Sequence, residues 1–564
     1  MRTAPRTVHE TEIDGVLCFF VDMGRPLSSA HLLFRTGLAD EPLHEAGWLH
    51  LLEHLTLLDR ETLTRPVHGT TSMLLTRFDA YGSPEEVTER LRDLGRWLSD
   101  PDLRLLARER GVLQADAQTR TDPLVRSLPW RYGARGPGVT GFMGAGAVRA
   151  TPELLTERAH RVFNQANAIL VLDGPPPPGL RLPLSAGAYQ EPPVAEPVSR
   201  PLPASYVDDA GLTLSGVVRR THVATFLPGL LERAIHDGLR QRTGGAYAPW
   251  SSMVEVDDLH AVVGCGSDVV PETHATAGPA GVDVLTRLVA DGVPRAWVQE
   301  AVEQRLAWLQ AAEAPFQVAR EAAYAALSGR VPQSLEELLE EVRDTDPTEL
   351  DRAVRDLRDS LLVGLPEGAT VDAATPPLGF PEEEPLISGH RHRHVNWPAE
   401  ATTFAVGDGV VEHGTALAVR RLALTEVAAM FTWRDGTREL VGADGSRLEM
   451  DPHQWWGADE LTHALDAAVP AELHLAMPDR EVTFHRMGVP QRAAKAFTRW
   501  ASTRPGLSTM IAVCTLLGLW ALVQGRAPVA GVFVAVALIM GAQLYRVQGG
   551  GAWPAVEEPD VGTL

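Results

Sequence analysis

The sequence predicts an α+β protein: two homologous lobes of sheet plus helices, then a small β-rich domain and an apolar helical hairpin. Three observations predict it. Between about residues 13 and 385 the order strands, helix, strands, helices runs through twice, separated by a proline-rich stretch from Pro192 to Pro203. From 402 to 470 short strand-like runs are punctuated by Gly407-Asp408-Gly409, Arg434-Asp435-Gly436 and Ala443-Asp444-Gly445, before one helical run from Ala458 to Ala468. Near the end, Leu507 to Gln524 and Ala527 to Tyr545 are apolar and carry no charge. The expected boundaries are a first lobe at 1–195, a second at 196–385, a linker at 386–401, the β-rich domain at 402–482, the hairpin at 507–545 and a tail at 546–564.

Composition narrows the function classes. A chain of 564 residues with 45% hydrophobic content can bury several cores. Its formal charge of -22 argues against nucleic acid as a partner, because binding there needs a basic surface. Lys495 is the only lysine, which rules out lysine catalysis elsewhere. Cys18, Cys265 and Cys514 are odd in number, far apart and without metal spacing, so a reduced compartment is expected. Met1 to Gly15 has charges and no apolar core, so no cleavable signal peptide is expected.

In the first lobe, Val16 to Val21 and His31 to Arg35 read as strands. A turn-rich link, Thr36-Gly37-Leu38-Ala39-Asp40-Glu41-Pro42, then leads to a helix carrying Gly47-Trp48-Leu49-His50-Leu51-Leu52-Glu53-His54. At helical spacing His50 and His54 stand one turn apart, so two imidazoles can reach one ion while Glu53 holds a water. The order His-x-x-Glu-His is the inverted zincin motif. Gly69 to Phe78 reads as a strand, Ser83-Pro84-Glu85-Glu86 as a helix start, and about 102 to 120 as a second helix. Thr151-Pro152 opens another helix, and Ala166 to Leu172 is a buried strand.

Together, the strand, Arg35-Thr36-Gly37-Leu38-Ala39-Asp40-Glu41-Pro42 and Gly47 to His54 resemble the inverzincin peptidases of the pitrilysin, insulin-degrading enzyme and mitochondrial processing peptidase family. The resemblance covers roughly residues 13 to 385. It implies that Gly69 to Phe78 is the edge strand that pairs with an extended substrate, with Thr71 and Ser72 in contact with it; the pattern alone equally suits an ordinary half-buried strand. It implies that Glu109, within Glu109-Arg110-Gly111-Val112-Leu113, supports the metal site, and that Asp116, seven residues on, is the third ligand beside His50 and His54. Two departures stand out. Aspartate replaces the family's glutamate, and the stretch from His54 to Asp116 is about a dozen residues shorter than usual, the shortening falling around Asp59 to Pro66.

The second lobe has no His-x-x-Glu-His; its helix reads Leu230-Leu231-Glu232-Arg233-Ala234-Ile235-His236. Leu239-Arg240 and Tyr247 stand at the spacing of the family's arginine and tyrosine, which implies that Arg240 and Tyr247 reach the substrate carbonyl across the chamber. Both are donors able to stabilise an oxyanion; a structural arginine and a core tyrosine are the plainer reading. Residues 296 to 362 read as helices, with Ser334-Leu335-Glu336-Glu337 as a capping box.

The C-terminal third reads as adaptor and anchor. His390, His392 and His394 alternate with arginines in a stretch that reads as a solvated tether. The β-rich domain weakly resembles a pleckstrin-homology-like domain, with Trp455 and Trp456 packing its core. The hairpin reads as two membrane spans, and the basic residues Arg492, Lys495, Arg499 and Arg504 before it place the catalytic part on the cytoplasmic side of the cell membrane.

The resemblance therefore implies a membrane-anchored zinc metalloendopeptidase that cleaves short or unfolded peptides, with Glu53 as general base. It also implies a homodimer or a heterodimer with a related subunit, since chambered relatives use four lobes. The alternative is an inactive scaffold or partner subunit that keeps the fold and has lost the metal, which Asp116 and the shortened link favour.

Overall fold

The computed structural model describes the chain except residues 1–6, 59–60, 63–64, 117–121, 209–210, 244–245, 373, 481–485, 502, 525, 527–531 and 541–564, together with the side chains at 61–62, 65–66, 114–116, 240–243, 246–247, 494, 504 and 521. It divides into two compact units. Unit 1 comprises residues 1–381, 422–449 and 465–479, and unit 2 comprises 382–421, 450–464 and 480–564.

Unit 1 contains both expected lobes. The first is a seven-stranded sheet of β1 (Val8–Ile13), β2 (Val16–Val21), β3 (Ser29–Phe34), β4 (Glu61–Thr62), β5 (Arg65–Thr71), β6 (Thr76–Tyr81) and β7 (Ala168–Leu172), in the order β1-β2-β7-β3-β6-β5-β4. β7 is parallel to β2 and antiparallel to β3, which places the most apolar strand centrally, with every residue buried. On one face lie α1 (Trp48–Leu57), α2 (Pro84–Ser99), α3 (Leu106–Asp116) and, after α4 (Pro123–Tyr132), α5 (Pro152–Val162), which share a core built from Leu49, Leu52, Leu91, Leu113, Leu155 and Phe78. The expected helix start of α2 is closed by a capping box of Ser83 and Glu86, and Thr151 accepts from Leu154 N at the start of α5.

The second lobe repeats the plan with β8 (Ala204–Val207), β9 (Leu212–Arg219), α6 (Leu227–Thr243), β10 (Ala246–Glu255), β11 (His260–Val269), α7 (His274–Asp291), α8 (Arg295–Leu309), α9 (Ala314–Leu327), α10 (Leu335–Arg343), α11 (Pro347–Asp359) and β12 (Leu362–Leu365). Its sheet order is β10-β11-β9-β12-β8. α9 crosses to the first lobe, where Phe316, Ala319 and Ala323 pack on Phe19, Leu33 and Val171, on the face of the first sheet opposite α1.

The expected single β-rich domain at 402–482 falls instead into two four-stranded sheets in different units. In unit 2, β13 (His392–Arg393), β14 (Thr403–Gly407), β15 (Val410–Gly414) and β16 (Val419–Ala423) make one sheet, and β16 runs on to the unit boundary. In unit 1, apart from Met450 at the end of β19, β17 (Val427–Thr432), β18 (Arg438–Gly442), β19 (Arg447–Met450) and β20 (His474–Ala476) make the other, in the order β19-β18-β17-β20. There Phe431, Val441 and Leu475 pack against Leu43, Ala134 and Phe142 of the first lobe. The supposed tether is folded as well: His392 and Arg393 pair with Phe404 and Thr403, and His392 and His394 are buried. The expected helix is α12 (Ala458–Ala468).

The membrane hairpin is not found. Among the described residues no helix is long and apolar enough to cross a membrane. After α13 (Val489–Ala501), α14 (Arg504–Val523) opens with Arg504-Pro505-Gly506 and carries Ser508 and Thr509 in its second turn, so its mainly apolar part, Met510 to Val523 with Thr515 inside it, rises only about 21 Å. The second expected span is helical at 532–540; its remainder lies outside the described residues. The expected two-span placement in the cell membrane, with its cytoplasmic orientation, is withdrawn on this finding.

Candidate active site

α1 is set by the turn that precedes it. Glu41, fully buried, accepts the backbone N–H groups of Gly47 at 2.8 Å and Leu49 at 2.7 Å, so its carboxylate caps the helix that carries the histidines. Burial is the main cause that pushes its pKa up to about 7, against the pull of Arg158 and the two N–H donors. Asp40 holds the turn from the other side, pairing with Arg35 and accepting from Gly37 N at 2.7 Å. Gly47 has φ +95, and a Cβ there would meet Gly144 Cα at 2.9 Å, so only glycine admits this entry.

With α1 fixed, Leu49, Leu51, Leu52 and Leu55 face the core, while His50 and His54 stay half-buried. The rings of His50 and His54 stand 4.5 Å apart between centroids and nearly perpendicular. Glu109 of α3, itself buried, brings Oε2 to 3.7 Å from His54 Nδ1, and α3 is held by Leu113 in the core and by Arg110, which donates to the Ala150 carbonyl. A carboxylate at Nδ1 leaves Nε2 of His54 as the nitrogen for an external ligand.

Glu53 points to β5. Its Oε2 accepts from Thr71 Oγ1 at 2.9 Å, and its Cγ would lie 2.6 Å from a Cβ at Gly69. Thus Gly69 and Thr71, alternate residues on one face of β5, make the seat of this carboxylate. β6 pairs with β5 from Val67 to Thr71 on one edge; on the other, β4 pairs only with Arg65 and Pro66. The edge beside Gly69 to Thr71 is therefore unpaired among the described residues.

Ser72 behaves differently from Thr71. Its N–H donates to Leu75 O at 2.8 Å and its carbonyl accepts from Leu38 N at 2.9 Å, so its backbone is engaged within the chain. The backbone of Asp116 closes α3, Arg240 lies near the end of α6 and Tyr247 near the start of β10, while their side chains lie outside the described residues. The shortened link at 59 to 66 lies in large part outside them too. The sequence reading did not anticipate Glu41 as the helix cap or Gly69 as the seat of Glu53, although Glu41 stood inside the quoted turn.

Two imidazoles one turn apart, one of them backed by a buried carboxylate, suit zinc as ligands and orienter. Among the described residues no group of three His, Cys, Asp or Glu side chains comes together to hold a metal ion. The pair is half a site, and its completion rests on a further donor.

No protein-family model and no curated protein sequence matches the chain. Solved structures do. A protease from Helicobacter pylori superposes with a TM-score of 0.52 at 15% identity, over 64% of this chain and 100% of that one. A peptidase M16 inactive domain from Pseudomonas fluorescens gives 0.51 at 12%, over 66% of this chain and 98% of that one. The fold is that of the M16 peptidases. The periplasmic protease PqqL from Escherichia coli gives 0.51 at 13%, over 78% of this chain and 56% of that one, so the chain spans about half of PqqL. The M16 fold is thus shared by proteases and by an inactive domain, and activity has to be argued from the site.

Proposed function

We propose that this M16-fold chain is a zinc-dependent endopeptidase acting on short or unfolded peptides laid along β5. The observation that carries this reading is the hydrogen bond from Thr71 to Glu53: the residue suited to be the base is seated on the strand whose free edge can bind a peptide. His50 and His54, with Asp116 as the third donor, would hold zinc, which supplies Lewis acidity to the scissile carbonyl and to water. Glu53 takes the proton of the attacking water and returns it to the leaving amine. Glu109 keeps the His54 ring oriented. Arg240 and Tyr247 donate to the oxyanion, and pairing with a second copy or a related subunit encloses the substrate.

The test uses the full chain and an internally quenched peptide. Cleavage should require zinc, stop with a chelator, return on zinc addition and fall at least about 10³-fold in Glu53→Gln. Cleavage that survives Glu53→Gln would sink the proposal. A second reading, a non-catalytic partner subunit, draws on Asp116 in place of glutamate and on the two-imidazole half-site. It requires less than one zinc per two chains in the purified protein.

A further inference from the structure

Between the two lobes of unit 1 lies a cavity of about 1050 Å³, bounded by Leu33, Thr70, Ser72 and Arg77 of the first lobe and by Gln317 and Arg320 of α9. It adjoins β5 on the face away from Glu53, because Thr70 alternates with Gly69 and Thr71 and stands opposite Arg77 in the register of β6.

The charges in this cavity do not balance evenly. Arg220 has Glu255 at 2.9 Å and Arg305 has Glu321 at 3.2 Å. Arg77 shares its carboxylate: Asp79 Oδ1 lies 3.0 Å from Arg77 Nε but also pairs with the buried His31, and Arg77 Nε is buried without a hydrogen bond among the described residues. Arg320 donates to the neutral Gln317 Oε1 at 2.9 Å and meets no carboxylate within ion-pair distance among the described residues. Burial, and next the Arg77 cation beside it, hold the Arg320 pKa below the ordinary arginine value. Two guanidinium groups that repel one another in one half-buried cavity leave room for one more negative charge between them.

The geometry points to an anion subsite for substrate: Arg77 and Arg320 receive a carboxylate of a peptide paired with β5, at the positions whose side chains turn to the face of Thr70. This rests on the peptidase reading and names its substrate class, peptides that carry an acidic group beside the bond to be cut. An extended strand sends every second side chain to that face, so the preference has a period of two. The guanidinium fork accepts a carboxylate by two parallel N–H bonds, from a Glu or Asp side chain or from the peptide's C-terminus.

The experiment measures binding, with the full chain carrying Glu53→Gln so that bound peptide stays intact. Fluorescence anisotropy is read for a neutral, C-terminally amidated dodecapeptide, for a set in which one Glu steps along it, and for the neutral peptide with a free C-terminus. At least one Glu position, with its neighbours two residues away, should bind about tenfold tighter than the neutral peptide, a gain that shrinks as salt rises. Arg320→Gln should erase the gain and leave the neutral peptide unchanged, Arg320→Lys should restore part of it, and Arg77→Gln should erase it independently of how well the Arg320 variant folds. A gain confined to the free C-terminus supports the same subsite with the terminal carboxylate as ligand. Equal binding of all the peptides overturns the subsite and leaves the peptidase reading standing. No binding by any of them overturns both.

Discussion

Gly69 has no room for a side chain. A methyl group there would sit 2.6 Å from Glu53 Cγ and 2.7 Å from Glu53 Oε1, so Gly69→Ala must displace the carboxylate, the strand or both. Relocating a buried charged group from its seat costs about 1–3 kcal/mol, and misplacing a base by an ångström costs about a hundredfold in rate. We expect Gly69→Ala to lower peptide cleavage at least about a hundredfold while lowering the urea midpoint only modestly, measured side by side. Thr71→Val removes only the hydroxyl and should cost cleavage about tenfold, with stability nearly unchanged. At this scale His50, Glu53 and His54 could be read from the chain because helical spacing alone places them together. The seat of Glu53 could not, since Gly69 meets it through a strand 16 residues later, and nothing local marks that glycine as different from any other in a strand.

At the scale of elements, α1 depends on Glu41. Its folded pKa, raised to about 7 by burial, exceeds the ordinary value of 4.5, so the native state holds a proton between those values that the unfolded chain releases. Stability from this group is therefore greatest below pH 4.5 and declines as pH rises towards 7. Glu41→Gln removes the titration and faces one backbone N–H with an amide NH₂, so it should destabilise at pH 5 and do so by about 2 kcal/mol less at pH 8. Urea unfolding of both proteins at the two pH values checks it; a penalty that grows with pH would contradict the raised pKa of Glu41. Helix starts made by neighbours in sequence were legible: the capping box of Ser334 with Glu337 stands as predicted, and the helix start read at Ser83 is there. Glu41 reaches forward six and eight residues from a turn, outside any capping pattern. The stretch from His390 to His394 misled for a related reason: its alternation of histidine and arginine looks solvated, but β14 and Trp455 bury His392 and His394.

At the scale of the whole molecule, the two lobes were legible because a helix between strands recurs with the same order, whereas the division of the last third was not. Its strands share composition and turn residues, and only long-range packing, such as Phe431 and Leu475 on Leu43 and Phe142, assigns β17, β18 and β20 to unit 1. The division has a consequence for acid stability. In unit 2, His413 packs against Phe404 and Trp455, and burial first, then the Arg420 and His394 charges, lower its pKa to about 4. Here the unfolded chain binds the proton that the native state refuses. The stability is present above pH 6.5 and is lost as pH falls through 4, amounting to about 2 kcal/mol lost by pH 5. Unit 1 carries the opposite dependence at Glu41, so acidification should weaken unit 2 selectively. His413→Phe keeps the aromatic packing and removes the proton. Hydrogen exchange of the amides in β14 and β15, compared between wild type and His413→Phe at each pH, should show wild-type protection falling about 30-fold more than the variant's from pH 7 to pH 5. Equal losses in the two proteins would place the acid sensitivity of unit 2 on some other group.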